Sequence, residues 1–226
     1  GWDSSSNSTN ISWMWKRGQG FDTVTYTATG SAFSVSHGLS QVPEMYWIKN
    51  RDDSKPWIIY HKGLNGGTNP NQYYLQFDTD AEATISPYAA APTATHFNIA
   101  ASESWTNDTG DDYITMLFAS ANDAEGNPIS KVGSYNGSSS QQTISTGFQP
   151  RFVIIRRIND QQDFVVLDTV RGWVQGTNDP RLELNNTSAQ NANTDFGYPT
   201  TGGFVLEGNL TKSNESGGEY IYYAHA

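Results

Sequence analysis

At 226 residues the chain has room for one large or two ordinary domains, and with no cysteine it forms its core without disulfides or a thiolate metal site. The net charge of −10 is spread evenly, with 6 basic and 12 acidic groups in residues 1–119 and 7 and 11 in residues 120–226. Without a basic stripe or an apolar run of bilayer length, the sequence argues against nucleic acid as a partner and against membrane insertion.

Only 16% of residues are charged, yet mean hydropathy is −0.59. The polarity comes from Asn, Ser, Thr, Gln and Gly, and 13% of residues are aromatic. That composition suits an ordered extracellular or virion β-protein rather than a disordered chain. The lack of cysteine suits synthesis in a reducing cytoplasm. The opening Gly1-Trp2-Asp3 has neither the charged region nor the apolar stretch of a signal peptide.

In chain order, Ile11 to Arg17 reads as an aromatic strand, either a terminal strand left from an upstream unit, which would make the chain a piece of something longer, or a plain N-terminal strand. Phe21–Tyr26 alternates β-branched and aromatic residues, which predicts a strand. Ala32–Ser36, Met45–Lys49, Trp57–Tyr60, Tyr74–Asp78 and His96–Ala100 follow, separated by turn signals such as Asn65-Gly66-Gly67. Ala81–Pro92 reads as a loop with at most one helical turn. Tyr113–Ala119 closes this set.

A shift of 107 residues then carries Tyr113–Ala119 onto Tyr220–Ala226, Gly110 onto Gly217, Pro43 onto Pro150, Ile48 onto Ile155 and Trp57–Tyr60 onto Phe164–Leu167. One offset kept over about a hundred residues marks a duplicated unit. The second unit supplies strands at Val132–Tyr135, Gln142–Ser145, Phe152–Ile158, Phe164–Leu167, Arg181–Leu184, Phe204–Glu207 and Tyr220–Ala224. The expected organisation is a terminal strand at 1–17, a first repeat at 18–120, a polar linker at 121–130 and a second repeat at 131–226. About seven short strands per unit and no amphipathic helix predict an all-β fold of two tandem antiparallel β-sandwiches, jelly-roll or lectin-like. Strands such as Tyr220–Tyr223 carry aromatics on both faces. One face must pack the sandwich, and the other is expected to meet solvent, a partner subunit or a ligand.

Few residues suggest chemistry. The four histidines, His37, His61, His96 and His225, fit no zinc spacing, and His61 is replaced by Asp168 in the second unit. No serine lies in a nucleophile motif. Asp78, Asp80, Asp111 and Asp112 are the carboxylates to test for polysaccharide cleavage, although Asp at strand ends commonly serves turns. Asn107, Asp108, Asp111 and Asp112 form the best candidate calcium loop, with turn formation as the competing reading; no other cofactor is indicated. Asp168 and Arg171 are expected to pair across a turn and fix a loop. Trp105 and Trp173 sit in loop contexts and are the candidate sugar-stacking residues.

Trp13–Arg17 followed by Phe21–Tyr26, His37-Gly38-Leu39 and Val42-Pro43, and in the second unit Val132–Tyr135, Gly147–Ile154, Asp168–Gly172, Asn178-Asp179-Pro180 and Ser216–Ile221, resembles the repeat domains of tail-fibre-like virion proteins of tailed phages, frequent in aquatic and marine phages. The resemblance covers nearly the whole chain and rests on turn and core residues. It implies a virion structural protein, a distal tail or appendage component with tandem β-domains, made in the host cytoplasm and carrying no enzyme activity. It further implies other virion proteins as partners, a homo-oligomer such as the trimer common in fibres, and a host surface glycan or receptor as ligand. The alternatives are a capsid or tail decoration protein that binds virion subunits, and a polysaccharide depolymerase.

Overall fold

The computed structural model describes residues 13–78, 80–84 and 87–226. Residues 1–12, with Ile11 and Ser12 at the start of the expected terminal strand, lie outside the described residues. Alternating β-branched and aromatic residues form β1 (Phe21–Thr27), β2 (Phe33–Ser36), β3 (Met45–Asn50), β4 (Ile58–His61), β5 (Leu75–Gln76), β6 (His96–Ile99) and β7 (Asp112–Phe118). Beyond them lie β8 (Ala121–Asn122), β9 (Pro128–Asn136), β10 (Gln142–Ser145), β11 (Phe152–Arg157), β12 (Val165–Asp168), β13 (Arg181–Glu183), β14 (Gly197–Thr200), β15 (Gly203–Leu206) and β16 (Glu219–His225). The protein is all-β, and every strand pair is antiparallel.

Two large sheets repeat one topology. The first runs β1-β7-β3-β4-β5, and the second runs β9-β16-β11-β12-β13 with β8 added at the β9 edge. The register repeats too: Ile48 faces Thr115 on β7, and Ile155 faces Tyr222 on β16, each residue moved by the same 107 positions. Each large sheet has a small companion, β2-β6 in the first unit and β10-β15-β14 in the second.

Three apolar layers result. Tyr46, Ile48, Ile58, Phe97 and Leu117 fill the first sandwich, and Val153, Ile155, Val165, Phe204 and Tyr222 fill the second. The third layer joins residues of both units: Met45, Trp47, Ile59 and Phe118 pack with Phe152, Ile154, Ile221 and Tyr223. The period of two explains the division. Along β11, Phe152 and Ile154 face the shared layer while Val153 and Ile155 face their own sandwich. The second aromatic face was expected to meet solvent, a partner or a ligand. It is instead covered by the other unit of the same chain, because both large sheets are apolar on both sides.

This seam has polar stitches. His61 is fully buried; its Nδ1 accepts from the Gly63 N–H at 2.9 Å, so its Nε2–H donates to the Tyr222 carbonyl at 3.3 Å. Gly63 allows this approach, since a Cβ there would lie 2.8 Å from the Ser134 Cβ and 3.1 Å from Ile221 Cγ2. Ser130 Oγ donates to the Ala119 carbonyl at 2.8 Å, and the Glu82 N–H donates to the Ile158 carbonyl at 2.9 Å. The buried Arg156 guanidinium lies 4.9 Å from the Phe164 ring centre and donates to the Asp80 carbonyl.

Some local expectations change. Residues 121–130, read as a linker, run as β8, a turn closed by Asp123 with Asn127, and the start of β9. The described part of 81–92 contains no helical turn. Three short 3-10 turns, at Leu64–Gly67, Pro70–Gln72 and Thr169–Arg171, lie where loops were expected. Among the described residues no helix is long and apolar enough to cross a membrane.

Candidate functional site

Residues 13–16 belong to no strand, so the described part of the expected terminal strand is instead an unpaired strap. Its alternation survives: Trp13 and Trp15 turn toward the protein, while Met14 and Lys16 are exposed. Trp13 meets Phe152 at 5.7 Å between ring centres. Trp15 meets Phe21 at 5.9 Å, Phe118 at 5.7 Å and Phe152 at 5.9 Å. The strap thus lies across the open end of the seam. Its far end is anchored by Arg17, which pairs with the buried Asp22. Burial alone would raise the Asp22 carboxyl, but the N–H groups of Gly38 at 2.6 Å and Thr23 at 2.8 Å, with the Arg17 guanidinium, hold it below the usual carboxylate range.

Three concavities border the strap. A cleft of about 270 Å³ is walled almost wholly by apolar groups, among them Trp13, Trp15, Trp47, Trp57, Phe77 and Met116. A second, of about 530 Å³, includes Trp13, Met14, Arg151, Val170 and Arg171. A third, of about 600 Å³, includes Met14, Trp15, Lys16, Arg17 and Tyr223. His225 lines both of the larger two. The duplicated positions diverge here. His61 and Gly63 close the seam against β16 and β9, whereas their counterparts Asp168 and Val170 line the second concavity.

The structure redistributes the residues singled out from sequence. Trp173 is fully buried in the second sandwich, 6.1 Å from Phe204, so it offers no face to a sugar. Asp168 caps the turn at Thr169–Arg171 by accepting from the Arg171 N–H at 2.9 Å, and the chain beyond turns Trp173 inward. Trp105 is half-buried, packed on Tyr74 at 5.4 Å and away from the strap concavities. Asp168 and Arg171 do pair, at 2.5 Å, but in a largely buried setting rather than the exposed one expected.

The candidate calcium loop is a structural clamp. Asn107 is buried; its Oδ1 accepts from the N–H groups of Thr29 at 3.1 Å and Gly30 at 3.0 Å, and its Nδ2 donates to the carbonyls of Ser31 at 2.8 Å and Ala100 at 2.7 Å. No lone pair of that amide is left for a cation. Asp111 accepts from Asn50 Nδ2 at 2.7 Å, Asp112 accepts from Thr27 Oγ1 at 2.7 Å, and the Asp108 N–H donates to Tyr113 Oη at 3.1 Å. Among the described residues no three His, Asp or Glu side chains gather to hold a metal. Nor does any hydrogen bond join Asp78 and Asp80 to Asp111 and Asp112. Asp78 instead accepts from the Asp80 N–H at 3.0 Å, and burial raises its carboxyl pKa.

The same clamp recurs 107 residues on. Asn214 Oδ1 accepts from the Ser138 N–H at 2.7 Å, and its Nδ2 donates to the carbonyls of Ser140 and Glu207, both at 3.0 Å. Stacked tyrosines accompany each clamp, Tyr26 with Tyr113 at 5.0 Å and Tyr135 with Tyr220 at 5.1 Å. Tyr26 donates to the Thr106 carbonyl and Tyr135 to the Ser213 carbonyl. Truncating either Asn would leave several buried backbone groups unpaired, so Asn107→Ala and Asn214→Ala are each expected to lower stability by about 2–3 kcal/mol in denaturant melts. A loss below about 0.5 kcal/mol would show that water replaces the amide.

Fold and site together define a doubled β-sandwich whose strap concavities are lined by tryptophans and cations. The chain belongs to the family described as Domain of unknown function (DUF7483), which matches residues 3–226. No curated protein and no solved structure matches it.

Proposed function

We propose that this chain is a structural virion protein of a tailed phage, an appendage component that binds a host surface glycan or receptor and performs no catalysis. The carrying observation is the make-up of the strap concavities. The two larger ones include a single acidic side chain, Asp168, and Arg171 already holds it at 2.5 Å. Glycoside cleavage needs two free carboxyl groups flanking one bond. Half-buried tryptophans held by neighbouring rings suit stacking on sugars instead. The resemblance to tail-fibre-like repeats supports the virion setting; the step from fold to receptor is analogy.

The labelled 226-residue chain should stain intact cells of some strains in a panel of aquatic bacteria, and periodate oxidation of their surface glycans should abolish the staining. Staining that survives periodate would favour a protein receptor. Absence of staining across the panel, with capture of subunits from virion lysate, would favour a decoration role.

The trimer is implied by the resemblance to fibre proteins, but the aromatic strand faces compatible with it pack inside the chain, which leaves assembly to other surfaces. Light scattering is therefore expected to give the 24.9 kDa mass of one chain. A mass about three times larger would assign fibre assembly to the sheet edges or loops.

A further inference from the structure

Acidic residues outnumber basic ones 23 to 13 in this chain, yet the two larger strap concavities invert that balance. Lys16, Arg17, Arg151 and Arg171 line them, against Asp168 as the one acidic side chain and the terminal carboxylate of Ala226. Arg17 and Arg171 are committed to Asp22 and Asp168. Lys16 and Arg151 are exposed and form no ion pair with a described residue. Met14 and Val170 add apolar surface at 77% and 79% exposure, well above the other two exposed large hydrophobic side chains among the described residues, Val42 and Val174. Met14, Trp15 and His225 line both concavities, and the Trp15 ring packs against Phe118 and Phe152. Joined through these shared residues, the two concavities form one groove that is both basic and amphipathic.

We propose that this groove binds a single strand of acidic polysaccharide, one whose sugar rings carry carboxylates or sulfates. This rests on the glycan-binding reading above and narrows it to a charge class and a place. The apolar CH faces of the sugars would lie on Met14, Val170 and the tryptophan edges, and the anionic groups would meet Lys16 and Arg151. A neutral polysaccharide would leave both cations without partners. A duplex nucleic acid needs a broad basic face, which a chain of net charge −10 does not present.

The test uses the full chain and three immobilised polymers: alginate for carboxylates, dextran sulfate for sulfates and dextran as the neutral control. Binding is expected to alginate, dextran sulfate or both, with little to dextran, and it should weaken as salt rises. Lys16→Gln with Arg151→Gln should weaken it roughly tenfold. Both positions are exposed, so melting temperature should stay put. Arg51→Gln, at an exposed cation outside the groove, should leave binding unchanged. Binding to dextran alone, or acidic-polymer binding that the double variant retains, overturns the assignment while leaving the glycan reading intact. Binding to none of the three also overturns it, and the periodate experiment then judges the broader reading separately.

Discussion

Phe118→Ala should destabilise both halves of this protein at once, by about 3–5 kcal/mol. The ring is fully buried, 4.7 Å from Trp47 and 5.1 Å from Phe21 in its own unit and 5.0 Å from Tyr223 in the other. Truncation would leave a cavity in the layer the two large sheets share, and neither sheet can collapse into it without moving the other. Hydrogen exchange should therefore accelerate in β11 and β16 as much as in β3 and β7. The same packing predicts one cooperative melting transition for the whole chain. Separating the units would expose Met45, Trp47, Ile59, Leu75 and Phe118 on the first alone, at about 1.5–3 kcal/mol each. That loss is comparable to the entire stability of an ordinary domain. Residues 18–120 expressed alone are expected to aggregate. Two resolved calorimetric transitions, or a soluble fragment with a sharp melt, would show that the seam is a loose contact.

That seam marks the boundary of what the sequence discloses. The 107-residue offset and the near-continuous apolar runs of β3, β11 and β16 were legible, because a strand buried on both sides must be apolar on both. What covers the second face was not legible, since it depends on how two units lie against each other. The strand β14 escaped notice because Pro199 reads as a breaker, yet β14 is an edge strand, where proline is tolerated. Trp173 sits between Gly172 and Gly176 and so looks like an exposed loop residue; only the capped turn before it sends the ring inward. The Asn clamp could have been found. Asn107 and Asn214 occupy matching positions, and an amide retained in both copies beside changed neighbours suggests a shared structural bond rather than a metal ligand in one. The strap tryptophans were read as part of an aromatic strand, but their place against the seam emerges only once the sheets are stacked.

His61 and Asp179 should give this protein two opposed responses to acid. Burial lowers the His61 pKa from 6.5 to about 3, and the ring stays neutral with both nitrogens bonded. The unfolded chain therefore binds a proton that the folded one refuses. The resulting stability is present above pH 6.5 and is lost as pH falls toward 3, on the order of 3–5 kcal/mol in all. Asp179 works the other way. It is fully buried, accepts from the Phe196 N–H at 2.6 Å through Oδ2, and its Oδ1 has no partner. Burial lifts its pKa from 3.8 to about 6. Here the folded state binds the proton more tightly, so stability rises as pH falls from 6 to 3.8, by about 2–3 kcal/mol. Asp179→Asn should thus stabilise the protein by about that amount at pH 7.5 and by nothing near pH 3.5. His61→Gln should cost about 1–2 kcal/mol at pH 7.5 through poorer hydrogen bonding and become more stable than wild type near pH 3.5. Urea melts of the three proteins across this range, compared as differences, cancel the contribution of carboxylates such as Asp22. Parallel profiles for His61→Gln and wild type would mean that the seam opens to water before the ring is protonated.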